Sequence, residues 1–115
     1  LQSELLVSTP GKSIAYLTDF RIEPGSQQWE NVREWLSGTD TLIAECQYQS
    51  QDEALAVRNG HMTANRIGQL AAESSVQELV LIHLSRRYTS DEWRAMREEA
   101  KREFPAAKFP PEWAL

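Results

Sequence analysis

Three runs decide how this chain folds: Asp40-Thr-Leu-Ile-Ala-Glu-Cys-Gln-Tyr48, Gly60-His-Met-Thr-Ala64 and Glu78-Leu-Val-Leu-Ile-His-Leu-Ser-Arg-Arg-Tyr88. The first and third contain continuous apolar segments, Leu42–Ala44 and Leu79–Ile82, which read as buried strands. Between them a helix begins at Thr63, with Ile67, Leu70 and Ala71 on one face. Both histidines of the chain sit where a strand or loop has just stopped. His83 follows the apolar run directly, and His61 follows the Asn59-Gly60 turn and precedes the helix. Such positions hold side chains at the rim of a sheet, where the sites of open α/β sheets gather.

Outward from these runs, Leu5–Ser8 and Ser13–Thr18 are β-rich and joined by Thr9-Pro10-Gly11-Lys12, a hairpin signal. Asp19 ends the second of them. Pro24-Gly25 breaks the chain, and Ser26 caps a helix carrying Trp29, Val32 and Leu36, which Gly38 stops. Thr41–Tyr48 is a third strand, Asp52–Val57 a short helical piece, and Val76–Ile82 a fourth strand. Thr89 and Glu92 have the spacing of a capping box and open a helix through about Phe104. The tail, Phe104–Leu115, reads as irregular. Strands alternating with helices make this an α/β chain.

A chain of 115 residues is one domain by length, with a modest core. No run approaches the ~18 apolar residues of a membrane span, and Leu1-Gln2-Ser3-Glu4 does not resemble a signal peptide. The missing initiator Met suggests trimming or a fragment. One cysteine, Cys46, excludes an internal disulfide, and a cytoplasmic location is expected. A formal net charge of −5 argues against a protein that coats RNA broadly. It leaves room for an enzyme whose local metal charge attracts phosphate.

Several residues carry chemistry. Asp19, at a strand end, projects a carboxylate that is either a turn former or a bridge between two cations. His83 is either a hydrogen-bonded structural residue or a zinc ligand. His61 precedes a helix N-terminus, which favours an anion, and a histidine beside a phosphate donates to a leaving alkoxide; the alternative is a loop histidine without a role. Glu45 is a strand-end carboxylate or a partner of His61. Arg86 and Arg87 offer forks for phosphate oxygens or solvated ion pairs. Cys46 reads as a small buried filler, and the four tryptophans read as packing residues rather than base-stacking platforms.

Together Tyr16-x-x-Asp19, Leu42-Ile-x-Glu45, Gly60-His-x-Thr-Ala64 and Leu81-Ile-His-Leu-Ser-x-Arg-Tyr88 resemble, in order, the C-terminal half of a metallo-β-lactamase-fold hydrolase, most closely ribonuclease Z. Three positions depart from that pattern: Met62 stands where serine is usual, Ala44 replaces a histidine and Cys46 an alanine. The resemblance implies that residues 1–115 are a single partial domain, the C-terminal half of an αββα sandwich, with one mixed sheet and helices on one face. It implies metal ligation by Asp19 and His83, catalytic roles for His61 and Glu45, and substrate contacts from Thr63 and Arg87. It implies a two-zinc phosphodiesterase acting on the 3′ trailer of a transfer RNA precursor. The His-x-His-x-Asp-His motif of the N-terminal half is missing here, so the isolated chain is expected to be inactive and not to retain zinc. The alternatives are another hydrolase of this fold, acting on a small phosphodiester or thioester, and a non-catalytic interaction domain. Strands apolar on both faces, with helices to cover one, further predict a homodimer, or else a tail folded over the bare face.

Overall fold

Element order and chain direction set this architecture. The computed structural model describes residues 3–9 and 12–115, with side chains from Lys12 onward. In order they form β1 (Ser3–Thr9), β2 (Lys12–Thr18), α1 (Gln27–Leu36), β3 (Thr41–Glu45), α2 (Glu53–Asn59), α3 (Ala64–Glu73), β4 (Glu78–Ile82), α4 (Ser90–Glu103) and β5 (Ala107–Lys108). The sheet order is β1-β2-β3-β4-β5, with β1 antiparallel to β2 and every later pair parallel. Each parallel step moves the same way across the sheet. Right-handed crossovers then place every connecting helix on the same face. The result is the mixed sheet with helices on one side that the family resemblance implies.

The register makes the two faces explicit. Ala15, Leu42, Leu79 and Ala107 lie side by side across the sheet, as do Leu17, Ala44 and Leu81. All are buried, under a layer in which α3 packs between α1 and α4. Gly68 of α3 permits that packing, because a Cβ there would lie 2.7 Å from the Ala100 carbonyl oxygen. The opposite face carries Ile14, Tyr16, Ile43, Val80 and Ile82. There Ile14 is 43% and Tyr16 37% exposed, and Ile43, Val80 and Ile82 are half-buried. One face of the sheet is thus bare of helices.

Local chemistry accounts for the helix ends. The Ser26 side chain accepts the Trp29 N–H at 3.1 Å, and Trp29, Val32 and Leu36 face the core. Gly60 closes α2 in the left-handed region. Thr89 and Glu92 form the reciprocal capping box that opens α4. The Pro10-Gly11 turn lies outside the described residues.

Two expectations are corrected. The third strand ends at Glu45 rather than Tyr48, because beyond it Tyr48 pairs with Thr63, in an isolated bridge, rather than with the sheet. The tail is not irregular throughout: Ala107–Lys108 adds a fifth strand beside β4, and Phe109 is buried under the Arg97 guanidinium at 5.1 Å. Anchored at that edge, the tail leaves Ile14 and Tyr16 exposed, so it does not cover the bare face. Among the described residues no helix is long and apolar enough to cross a membrane.

Candidate active site

Because β2, β3 and β4 are parallel, they end at one edge of the sheet. Residues 19, 45 and 83, far apart in the chain, meet there. One ligand atom from each of Asp19, Glu45 and His83 lies within 4.8 Å of the others. Asp19 and His83 are both about half exposed, with Nδ1 of His83 4.0 Å from Oδ1 of Asp19. Each takes a left-handed backbone, with φ +53° at Asp19 and +60° at His83. That region costs about 1–2 kcal/mol for a residue with a Cβ, although Asp and His tolerate it better than most. Strain of this kind gathers where geometry serves a site. Here it ends β2 and β4, the two strands that flank β3, with both side chains at the sheet edge. His83 Nδ1 also lies 3.1 Å from the Thr18 hydroxyl, which steadies the ring.

Glu45 is fully buried, and a buried carboxylate persists only when its oxygens are satisfied. Oε1 accepts the Phe20 N–H at 3.0 Å. Oε2 accepts the Met62 N–H at 3.0 Å and Nδ1 of His61, also at 3.0 Å. The donors come from the residue after Asp19 and from the two residues opening the path to α3. A single carboxylate therefore ties the Asp19 turn to the His61 loop. Since an ionised carboxylate only accepts, the hydrogen bond assigns the proton to Nδ1 of His61 and leaves Nε2 for another partner. The His61 side chain is 21% exposed and so open to one. Arg21, largely buried between Glu23 and Glu53, extends Nη1 to the His61 carbonyl oxygen at 3.5 Å.

Carboxylate oxygens and imidazole nitrogen are the donors that zinc and related divalent cations take. With both Glu45 oxygens engaged, Asp19 and His83 remain as free donors. The residues present fit part of a metal site, short of the four ligands of a tetrahedral centre.

The other residues singled out from the sequence lie elsewhere. Thr63 is fully buried and its hydroxyl donates to Asn65 at 2.6 Å, so it does not reach the rim. Arg87 is exposed, with its guanidinium carbon 5.8 Å from the Tyr88 ring centre. Cys46 is buried, and burial raises its thiol far above the usual range, in keeping with a filler. Sequence reasoning missed Thr18 and Arg21. Thr18, beside Asp19, carried no signal of its own, whereas Arg21 could have been found from its position two residues after a candidate ligand.

The family described as the beta-lactamase superfamily domain matches residues 2–84. Over 113 residues the chain is 44% identical to ribonuclease Z of Deinococcus radiodurans, covering 98% of this chain and 34% of that protein. Over 98 residues it is 38% identical to ribonuclease Z of Nocardia farcinica, covering 84% of this chain and 30% of that one. The chain thus spans about a third of the length of the curated relatives it matches. Among solved structures, the metallo-beta-lactamase fold protein YhfI from Bacillus subtilis superposes with a TM-score of 0.70 at 21% identity, covering 92% of this chain and 39% of that one. Human tRNase Z, short form, superposes with a TM-score of 0.62 at 26% identity, covering 71% of this chain and 30% of that one.

Proposed function

This chain belongs to the beta-lactamase superfamily, and from that premise we propose that it supplies the C-terminal part of a ribonuclease Z-like phosphodiesterase. The observation that carries the proposal is the meeting, at one sheet edge, of two free metal donors and a histidine held by a buried carboxylate. In this reading Asp19 and His83 hold part of a two-zinc centre. The remaining ligands come from a His-x-His-x-Asp-His motif that these 115 residues do not contain. When bound, the cations supply positive charge toward the phosphate and activate water. Glu45 accepts from Nδ1–H of His61 and leaves Nε2 to face the substrate; in the imidazolium form Nε2 carries a second proton, and that proton passes to the leaving alkoxide. Arg87, exposed beyond His83, serves phosphate oxygens. The substrate is an RNA phosphodiester, in keeping with relatives named ribonuclease Z, and most specifically a transfer RNA precursor cut at its 3′ trailer. The chain by itself is inactive, because two free donors do not complete a tetrahedral site.

The bare sheet face fits the same reading. Face-to-face packing of two sheets buries such a surface, and in the isolated chain we assign that role to a second copy.

The test uses a protein of the relatives' full length that contains these residues. Asp19→Ala and His83→Ala should each remove metal and activity together. His61→Ala should keep the metal and lower turnover on the order of a hundredfold. Loss of metal in His61→Ala would overturn the division of roles.

A further inference from the structure

A cleft of about 540 Å³ opens beside His83, lined by His83, Leu84, Arg86, Ser90, Trp93, Trp113 and Leu115. Its volume lies within the roughly 300–1,000 Å³ typical of small-molecule sites. Two indoles and one arginine dominate its chemistry. Trp93 is fixed by its N–H, which donates to the Ser85 carbonyl at 3.0 Å. Trp113 leans on Trp93 at 6.1 Å between centroids with a 37° tilt, and on Phe109 at 5.5 Å. That places Trp113 in contact with both rings and still 37% exposed at the cleft. A preformed aromatic face in this state presents area without a large ordering cost. Arg86 is exposed, and among the described residues it has no hydrogen-bond or ion-pair partner. In a chain of net charge −5, an unpaired arginine beside two indoles and the candidate metal ligand His83 points to an anionic ligand with a planar ring.

We propose that this cleft is a nucleotide subsite, in which one base of a single-stranded RNA stacks on Trp113 and its phosphate is held by Arg86 beside His83. The indole pair is already in contact, so the base stacks on the face of Trp113 rather than entering between the rings. Stacking tolerates any base, whereas the arginine requires the phosphate. The subsite therefore positions the strand next to the reacting phosphodiester without reading its sequence. Trp29 lies in the core and Trp35 and Trp93 pack against it, whereas Trp113 keeps an exposed face that the proposal assigns to a base.

It rests on the phosphodiesterase reading, yet its test needs neither metal nor cleavage. Adenosine 5′-monophosphate, adenosine and inorganic phosphate are titrated into the 115-residue chain while tryptophan fluorescence is followed. Adenosine monophosphate should quench, adenosine should quench more weakly, and phosphate alone should not quench. Trp113→Leu should weaken nucleotide binding on the order of tenfold. Arg86→Gln should weaken the monophosphate and leave adenosine unchanged. Unchanged monophosphate affinity in both variants, or no quenching at millimolar nucleotide, would overturn the subsite. In a complete, active protein, a Trp113→Leu variant with unaltered KM would remove the subsite and leave the phosphodiesterase reading standing. Nucleotide binding by a protein that cuts no RNA would do the reverse.

Discussion

Replacing Glu45 by alanine removes the acceptor on which three groups converge. The Phe20 and Met62 N–H groups lie within 3.0 Å of its oxygens, as does Nδ1 of His61. In a fully buried setting each orphaned backbone donor costs about 1–3 kcal/mol. The two together come to roughly 2–6 kcal/mol, a large share of the 5–15 kcal/mol typical of a domain. Glu45→Gln keeps the volume and one acceptor oxygen but turns an amide N–H₂ toward a donor. It should cost about half as much. Equilibrium urea unfolding followed by tryptophan fluorescence measures both. With a slope near 1–3 kcal/mol per molar urea, the alanine midpoint should fall by about 0.7 M or more, with glutamine in between. An alanine midpoint within about 0.2 M of the parent would refute the reasoning. It would mean that water or a neighbouring group satisfies those donors, and that Glu45 does not tie the Asp19 turn to the His61 loop.

Three further outcomes are expected. Because His83 holds φ +60°, His83→Gly should be more stable than His83→Ala by about 1 kcal/mol in the same unfolding assay; equal stabilities would show that the strain relaxes. Burial and Asp52 push the Tyr88 phenol up to about 12, so the folded state holds that proton more tightly than the unfolded chain, where it leaves near pH 10. This contribution is complete below about pH 10 and is lost as pH rises toward 12, and Tyr88→Phe should remove that part of the slope. Light scattering on the isolated chain should show a two-fold dimer through the face bearing Ile14 and Tyr16, weakened by Tyr16→Glu; a strictly monomeric species at high micromolar concentration would contradict it.

Much of this geometry was legible in the sequence because its signals are local. The Ser26 and Thr89 caps, the Gly38 and Gly60 stops and the apolar run of β4 each name an element by the chemistry of a few adjacent residues. The two histidines were legible as rim residues for the same reason. What was not legible depends on partners distant in the chain. β5 has two residues, and its strand character comes from pairing with β4 rather than from any pattern of its own. The burial of Thr63 follows from the packing of the loop before α3, which Gly-His-Met-Thr alone does not reveal. The left-handed backbone at Asp19 and His83 is likewise invisible from composition, since neither is a glycine. The cleft beside His83 needed the fold most of all, because it joins Arg86 and Trp93 to a Trp113 that the sequence places in a tail.

In the proposed division of roles Asp19 and His83 bind metal, while His61, held by Glu45, does not. With two histidines in the chain, correlation of ring nitrogens with ring protons by NMR during a zinc titration tests it directly. His83 nitrogens should shift at millimolar zinc, and the shift should vanish in Asp19→Asn, while His61 stays in place. Movement of His61 ahead of His83, or a His83 response indifferent to Asp19, would contradict the account.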